Sequence, residues 1–326
     1  MKHSITIFFF LLIHISVSSQ SNVKYWAFFT DKCSSNFDPH EYFDPKAIER
    51  RLKNNIPLDH FTDVPVCNKY IRSVSEIADS ISHPSRWFNA LAFYASEDQA
   101  NLIRKLSFVD SITKITKNET QPIASINLED TNSDLTNKRM QDAQLKILGG
   151  QHFSSNNING KGIRIAIFDA GFPDVNTSEA FDHIRENNGI VATYDFVKNK
   201  EEVYNYNSHG THVMSCIGGI YDDEKIGLAT AAEYVLARTE NAFLEPFSEE
   251  ENWLAAVEWA DKVGVQIINS SLGYTKQRYF NTQMNGKLSL VSRAANMAAK
   301  KGILVVNAAG NDGDNSWKYI GTPGDA

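Results

Sequence analysis

The sequence predicts an α/β protein, a parallel sheet with helices on both faces, preceded by a small α+β domain. Two observations predict it. Beyond Gly149, β-rich runs alternate with helical ones, the order that builds a parallel sheet buried on both sides. Upstream, residues 21–115 mix strands and short helices, and residues 116–148, polar and aperiodic from Thr116 to Asn137, read as a linker. A length of 326 residues with 42% hydrophobic and 22% charged content suits two domains with real cores.

Residues 1–20 read as an export signal. Lys2 and His3 form the basic start, Ile5 to Ile15 is a nearly continuous apolar run, and Ser16 to Ser19 supply small residues before a mature start near Gln20. That run is too short to cross about 30 Å of hydrocarbon. The expected location is therefore secreted or extracellular, the periplasm being the alternative, with no membrane contact once the signal is removed.

The first domain opens with an apolar strand, Val23 to Thr30. Pro45 opens a helix, and a second helix spans Asn68 to Ser80. Strand Phe88 to Ala95 follows. Ser96 is an N-cap before helix Glu97 to Leu106, whose Ala100, Ile103 and Leu106 recur at helical spacing, and Val109 to Ile115 closes the domain as a strand. In residues 149–326 the strands are Ile163 to Phe168, Ile190 to Phe196, Tyr234 to Ala237, Val265 to Asn269 and Ile303 to Asn307. The helices are Ser208 to Ile217, Glu249 to Lys262 and Lys287 to Lys301.

A net charge of −7 without a dense Lys/Arg cluster argues against nucleic acid as a partner. Three cysteines are too few for a disulfide scaffold. Cys33 with Cys67 is the pair to test, and Cys216 reads as a small buried apolar residue.

Four places carry the chemistry. Asp169 ends the first strand of the sheet at its carboxyl edge, where open α/β sheets build their sites. Ser208-His209-Gly210-Thr211-His212 opens a helix that ends at Gly218-Gly219, and Gly210 leaves room beside the imidazole for a substrate backbone. His209 and Asp169 are expected to leave neighbouring parallel strands and to hydrogen-bond. A zinc reading of His209 with His212 lacks the glutamate of a zinc-protease helix. Ser270-Ser271-Leu272-Gly273 leaves the next strand with small residues that suit an extended peptide, and Asn311, after Ala308-Ala309-Gly310, is placed to offer an amide N–H to an oxyanion.

Together these segments resemble the subtilisin-like serine proteases, in which aspartate precedes histidine and histidine precedes serine. The resemblance covers about Gly149 to Ala326, with Asn252 to Ala260 as the helix before the substrate strand. It implies that Asp169 orients the imidazole, His209 is the general base, Ser271, Leu272 and Gly273 line the cleft, and Asn311 supplies one oxyanion donor. Residues 21–115 then resemble the family's prodomain, a folding aid and intramolecular inhibitor, and polypeptides become the substrates. The sequence departs from the pattern twice. Ala170 stands where Ser or Thr usually follows the aspartate, and no Gly-Thr-Ser segment occurs, Gly321-Thr322-Pro323 carrying proline instead. The subtilisin-like fold is accordingly expected to be incomplete and its nucleophile serine missing from these residues. No metal ligand set and no cofactor is called for, a structural calcium ion being left open. The alternative is a non-catalytic peptide-binding protein on the same fold. A nucleotide-binding domain is disfavoured, because Asp169-Ala170-Gly171-Phe172 stands where a Gly-rich phosphate loop would be.

Overall fold

The computed structural model describes residues 23–33, 36–115, 143–241, 248–276 and 278–326. The export signal at 1–20 and most of the linker lie outside the described residues. At the linker's end, residues 143–147 are helical rather than irregular.

In the N-terminal domain, strands β1 (Val23–Phe29), β2 (Ser80–Ser85), β3 (Ala90–Ala95) and β4 (Val109–Ile115) form an antiparallel sheet in the order β2-β3-β1-β4. Helices α1 (Pro45–Lys53), α2 (Asn68–Ser75) and α3 (Glu97–Arg104) complete it. The expected helix to Ser80 stops at Ser75. Ser80 instead starts an unforeseen strand, whose polar residues and Pro84 hid it. Proline is tolerated there because β2 is an edge strand. Strand β3 begins at Ala90 rather than Phe88, since Asn89 turns with φ +50°. Ser96 caps α3 as expected, in a reciprocal capping box with Gln99.

Cys33 and Cys67 are bonded across a separation of 34 residues, whereas Cys216 is exposed, not buried. Cys216 lies on the outward side of its helix, while Met214 of the same helix is the residue turned to the core. Closing a loop of that length restricts the unfolded chain. Cys33→Ser is therefore expected to cost about 3 kcal/mol, read as a lower urea midpoint under non-reducing conditions.

The second domain carries a five-stranded parallel sheet. Its strands are β5 (Arg164–Asp169), β6 (Ile190–Asp195), β7 (Glu233–Arg238), β8 (Ile267–Ser270) and β9 (Leu304–Asn307), ordered β9-β8-β5-β7-β6. Helices α4 (His209–Gly218), α5 (Ser248–Lys262) and α6 (Leu290–Lys300) cover it. The alternation of β5 shows both faces buried: Ile165 and Ile167 pack with Met214 of α4, and Ala166 and Phe168 pack with Trp253 and Ala256 of α5.

The two domains share a core. Residues alternate along β1, so Tyr25, Ala27 and Phe29 meet the domain's own helices while Trp26 turns to the residues of α5 and α6. Carboxylates spaced along α5 hold the docking face. Glu251 pairs with Lys24 at 2.6 Å and accepts from Ser82; Glu258 accepts from Ser85 Oγ and from the N–H groups of Arg86 and Trp87. Asp261 is met by Arg50, by Arg51 at 2.8 Å and by Arg86 at 2.6 Å. Asp63, fully buried, takes Arg51 and Lys301.

Candidate active site

All five strands of the parallel sheet run the same way, so their C-terminal ends share one edge. Asp169 is the last residue of β5 and wholly buried, and its Oδ1 accepts the Ala170 N–H at 2.8 Å. His209 opens α4. Its Nδ1 lies 2.9 Å and 3.0 Å from the two carboxylate oxygens of Asp169, which makes Nδ1–H the donor and leaves Nε2 as the basic nitrogen. The hydrogen bond to Asp169, with that carboxylate's charge, holds the imidazole above the ordinary histidine range in spite of partial desolvation.

The two residues do not leave neighbouring strands. β7 lies between β5 and β6, and His209 reaches Asp169 through the loop that follows β6. Close backbone approach makes this feasible. Gly171 has φ +147° and pairs with Tyr206 in an antiparallel bridge, where a Cβ would meet Asn205 O at 2.2 Å. Gly210 is glycine for a reason other than substrate access. It is buried, and a Cβ on it would come within 2.4 Å of Gly171 O and 2.9 Å of Asp169 Cβ, so the residue lets α4 press onto the exit of β5. Thr211 Oγ1 donates to Pro173 O and Asn207 Oδ1 accepts the His209 N–H, fixing the helix start.

Ser271, Leu272 and Gly273 leave β8 half-buried, and Gly273 faces open space where a side chain would stand. Asn311 lies exposed beyond the end of β9. His212, the partner in the zinc reading, is exposed, and Nδ1 of His209 is already committed to Asp169.

Sequence reasoning passed over several residues that hold this edge together. Asn307, the polar end of an otherwise apolar strand, donates to Leu272 O at 2.9 Å and ties the β8 exit to β9. Tyr274 exchanges backbone hydrogen bonds with Thr322, and its hydroxyl donates to Glu240 at 2.7 Å. Arg278 pairs with Glu249 at 2.8 Å and Glu250 at 3.2 Å. Burial, reinforced by the charge of Glu240, pushes Glu249 up to about 10. In the sequence Glu249 and Glu250 stand at the start of a helix, a place that gives no hint of burial.

A buried aspartate hydrogen-bonded to a histidine at the carboxyl edge of a parallel sheet is an arrangement that α/β serine-type peptidases share. The chain belongs to the subtilase family, whose model matches residues 160–326. Residues 24–131 match the model described as the peptidase S8 propeptide domain, Bacteroidota. The thermostable alkaline protease of Halalkalibacterium halodurans is 26% identical over 196 residues, 58% of this chain and 46% of that protein. Subtilisin BL of Lederbergia lenta is 26% identical over 166 residues, 50% of this chain and 52% of that protein. The chain thus spans about half the length of these relatives. Among solved structures, the epidermin leader peptide processing serine protease of Staphylococcus aureus aligns over 90% of this chain and 61% of its own, at 16% identity and a TM-score of 0.47.

Proposed function

We propose that the chain belongs to the precursor of a secreted serine endopeptidase that cleaves polypeptides by acyl transfer. The observation that carries the reading is the Asp169–His209 hydrogen bond at the carboxyl edge of the sheet. His209 Nε2 takes the proton of the attacking hydroxyl and returns it to the leaving amine. Asp169 holds the imidazole in the tautomer that presents Nε2 and stabilises the imidazolium that forms. Asn311 donates to the oxyanion, and an extended substrate pairs with the backbone of Ser271, Leu272 and Gly273. No serine among residues 1–326 is assigned as the nucleophile. Residues 21–115 serve as the intramolecular inhibitor, a role supported by the propeptide match and by the buried ion pairs along α5.

The raised pKa of His209 sets the pH dependence. The base must be neutral, so hydrolysis should rise with pH through a value above the ordinary histidine range. In any protein that contains this chain and hydrolyses casein, His209→Ala is expected to lower that hydrolysis by about a millionfold, the loss found in subtilisin. Hydrolysis that survives His209→Ala would remove the histidine from its role.

A further inference from the structure

β7 separates the strands that lead to Asp169 and His209, and its last residue is an arginine in an otherwise apolar run, Tyr234-Val235-Leu236-Ala237-Arg238. Arg238 is buried, and its guanidinium works in three directions. Nε donates to Ala170 O at 3.1 Å, one residue past Asp169. One terminal nitrogen donates to both oxygens of Asp195, at 2.9 Å and 3.2 Å. Asp195 is itself wholly buried and accepts the N–H groups of Val197 and Lys198, so it belongs to the turn at the exit of β6. The guanidinium carbon lies 3.6 Å from the ring centroid of Tyr206, three residues before His209.

Tyr206 is in the left-handed region, with φ +77°, a conformation that costs a bulky residue of order 1 kcal/mol and persists only where its surroundings enforce it. The stacked guanidinium and the bridge to Gly171 are those surroundings. Arginine suits the place because its planar fork can bond at the edge while stacking on its face, which an ammonium cannot do.

We propose that Arg238 is a positioning residue for the Asp169–His209 pair, a brace that joins the exits of β5 and β6 across the strand between them; this rests on the reading of that pair as the proton-handling unit. Without the brace, the loop of Tyr206 relaxes and His209 Nδ1 moves from the carboxylate. The expected signature is a loosened His209–Asp169 hydrogen bond in a chain that is still folded.

The test is an NMR titration of His209 in the 326-residue chain carrying ¹³C-labelled histidine, its resonance assigned with His209→Gln. Charged groups on the strand ends and loops meeting there are Asp169, Asp195, Arg238 and the Lys200–Glu202 pair. Arg238→Met together with Asp195→Asn removes both buried charges at once and leaves neither unpaired. Removing the arginine's positive charge would raise the imidazole's pKa and removing the Asp195 carboxylate would lower it, so the paired removal leaves the local charge balanced. A fall therefore reports lost geometry. We expect the double variant to lower the His209 pKa by at least half of the fall produced by Asp169→Asn, with the other histidine resonances in place. An unchanged or higher value overturns the proposal. If the double variant does not fold, Arg238→Lys decides in the same way, since it keeps the charge and loses the flat stacking fork. A titration unmoved by Asp169→Asn would overturn the pair itself, a failure separate from that of the brace.

Discussion

A polypeptide of residues 1–326 is expected to hydrolyse casein or a fluorogenic peptide no faster than buffer does, although Asp169 and His209 are already joined. The reason is chemical. A base and its orienting carboxylate form no acyl-enzyme without a hydroxyl to attack the carbonyl, and the sequence holds no Gly-Thr-Ser segment to supply it. Loss of the serine costs subtilisin about a millionfold in turnover, roughly 8 kcal/mol of barrier. The assay is run on purified monomer with and without a fluorophosphonate. Inhibitor-sensitive turnover would mean that a serine within these residues is the nucleophile, and covalent labelling followed by mass spectrometry would name it.

Asp261→Asn is expected to destabilise the chain by about 3–5 kcal/mol, the usual loss when one partner of a buried ion cluster is removed. Asp261 is fully buried, and Arg50, Arg51 and Arg86 all converge on it from the N-terminal domain. Burial works to raise its pKa, yet Arg86, Arg51 and Arg50 together hold it below the ordinary aspartate range. The sign follows. A carboxylate whose pKa is depressed on folding contributes stability above its unfolded pKa, and that contribution fades as pH falls through the folded value. Docking of the N-terminal domain should thus weaken in acid, and in Asp261→Asn that acid dependence should shrink. Urea unfolding at neutral and at acid pH measures both. A midpoint unmoved at neutral pH would show that the apolar contacts of Trp26 and Trp87 hold the domains without the ions.

Much of the molecule was legible beforehand because its signals are local. The strands of the parallel sheet are short apolar β-branched runs, so Asp169 and His209 stood out as candidates at a strand end and a helix start, and the family resemblance is what joined them. Ser96 and Pro45 gave helix starts by the same local logic. β2 escaped because edge strands tolerate polar residues and proline, which removes the apolar pattern on which strand recognition depends.

By itself, then, the sequence determined the alternation of elements, the residues at the strand exits and the family pattern, and it singled out Cys33 and Cys67 as the pair to test. Tertiary structure decided what the spacing cannot express. Strand order is set by packing between distant segments, so only the fold could insert β7 between the two strands of the dyad and bring Arg238 into contact with both exits. Burial is likewise a collective property. Glu258 and Asp261 look like an ordinary charged helix face until the sheet of the N-terminal domain covers them and desolvation makes each ion pair decisive. Gly210 makes the same point on a smaller scale, since its missing side chain makes room for the carbonyl of Gly171, a neighbour that only folding brings near.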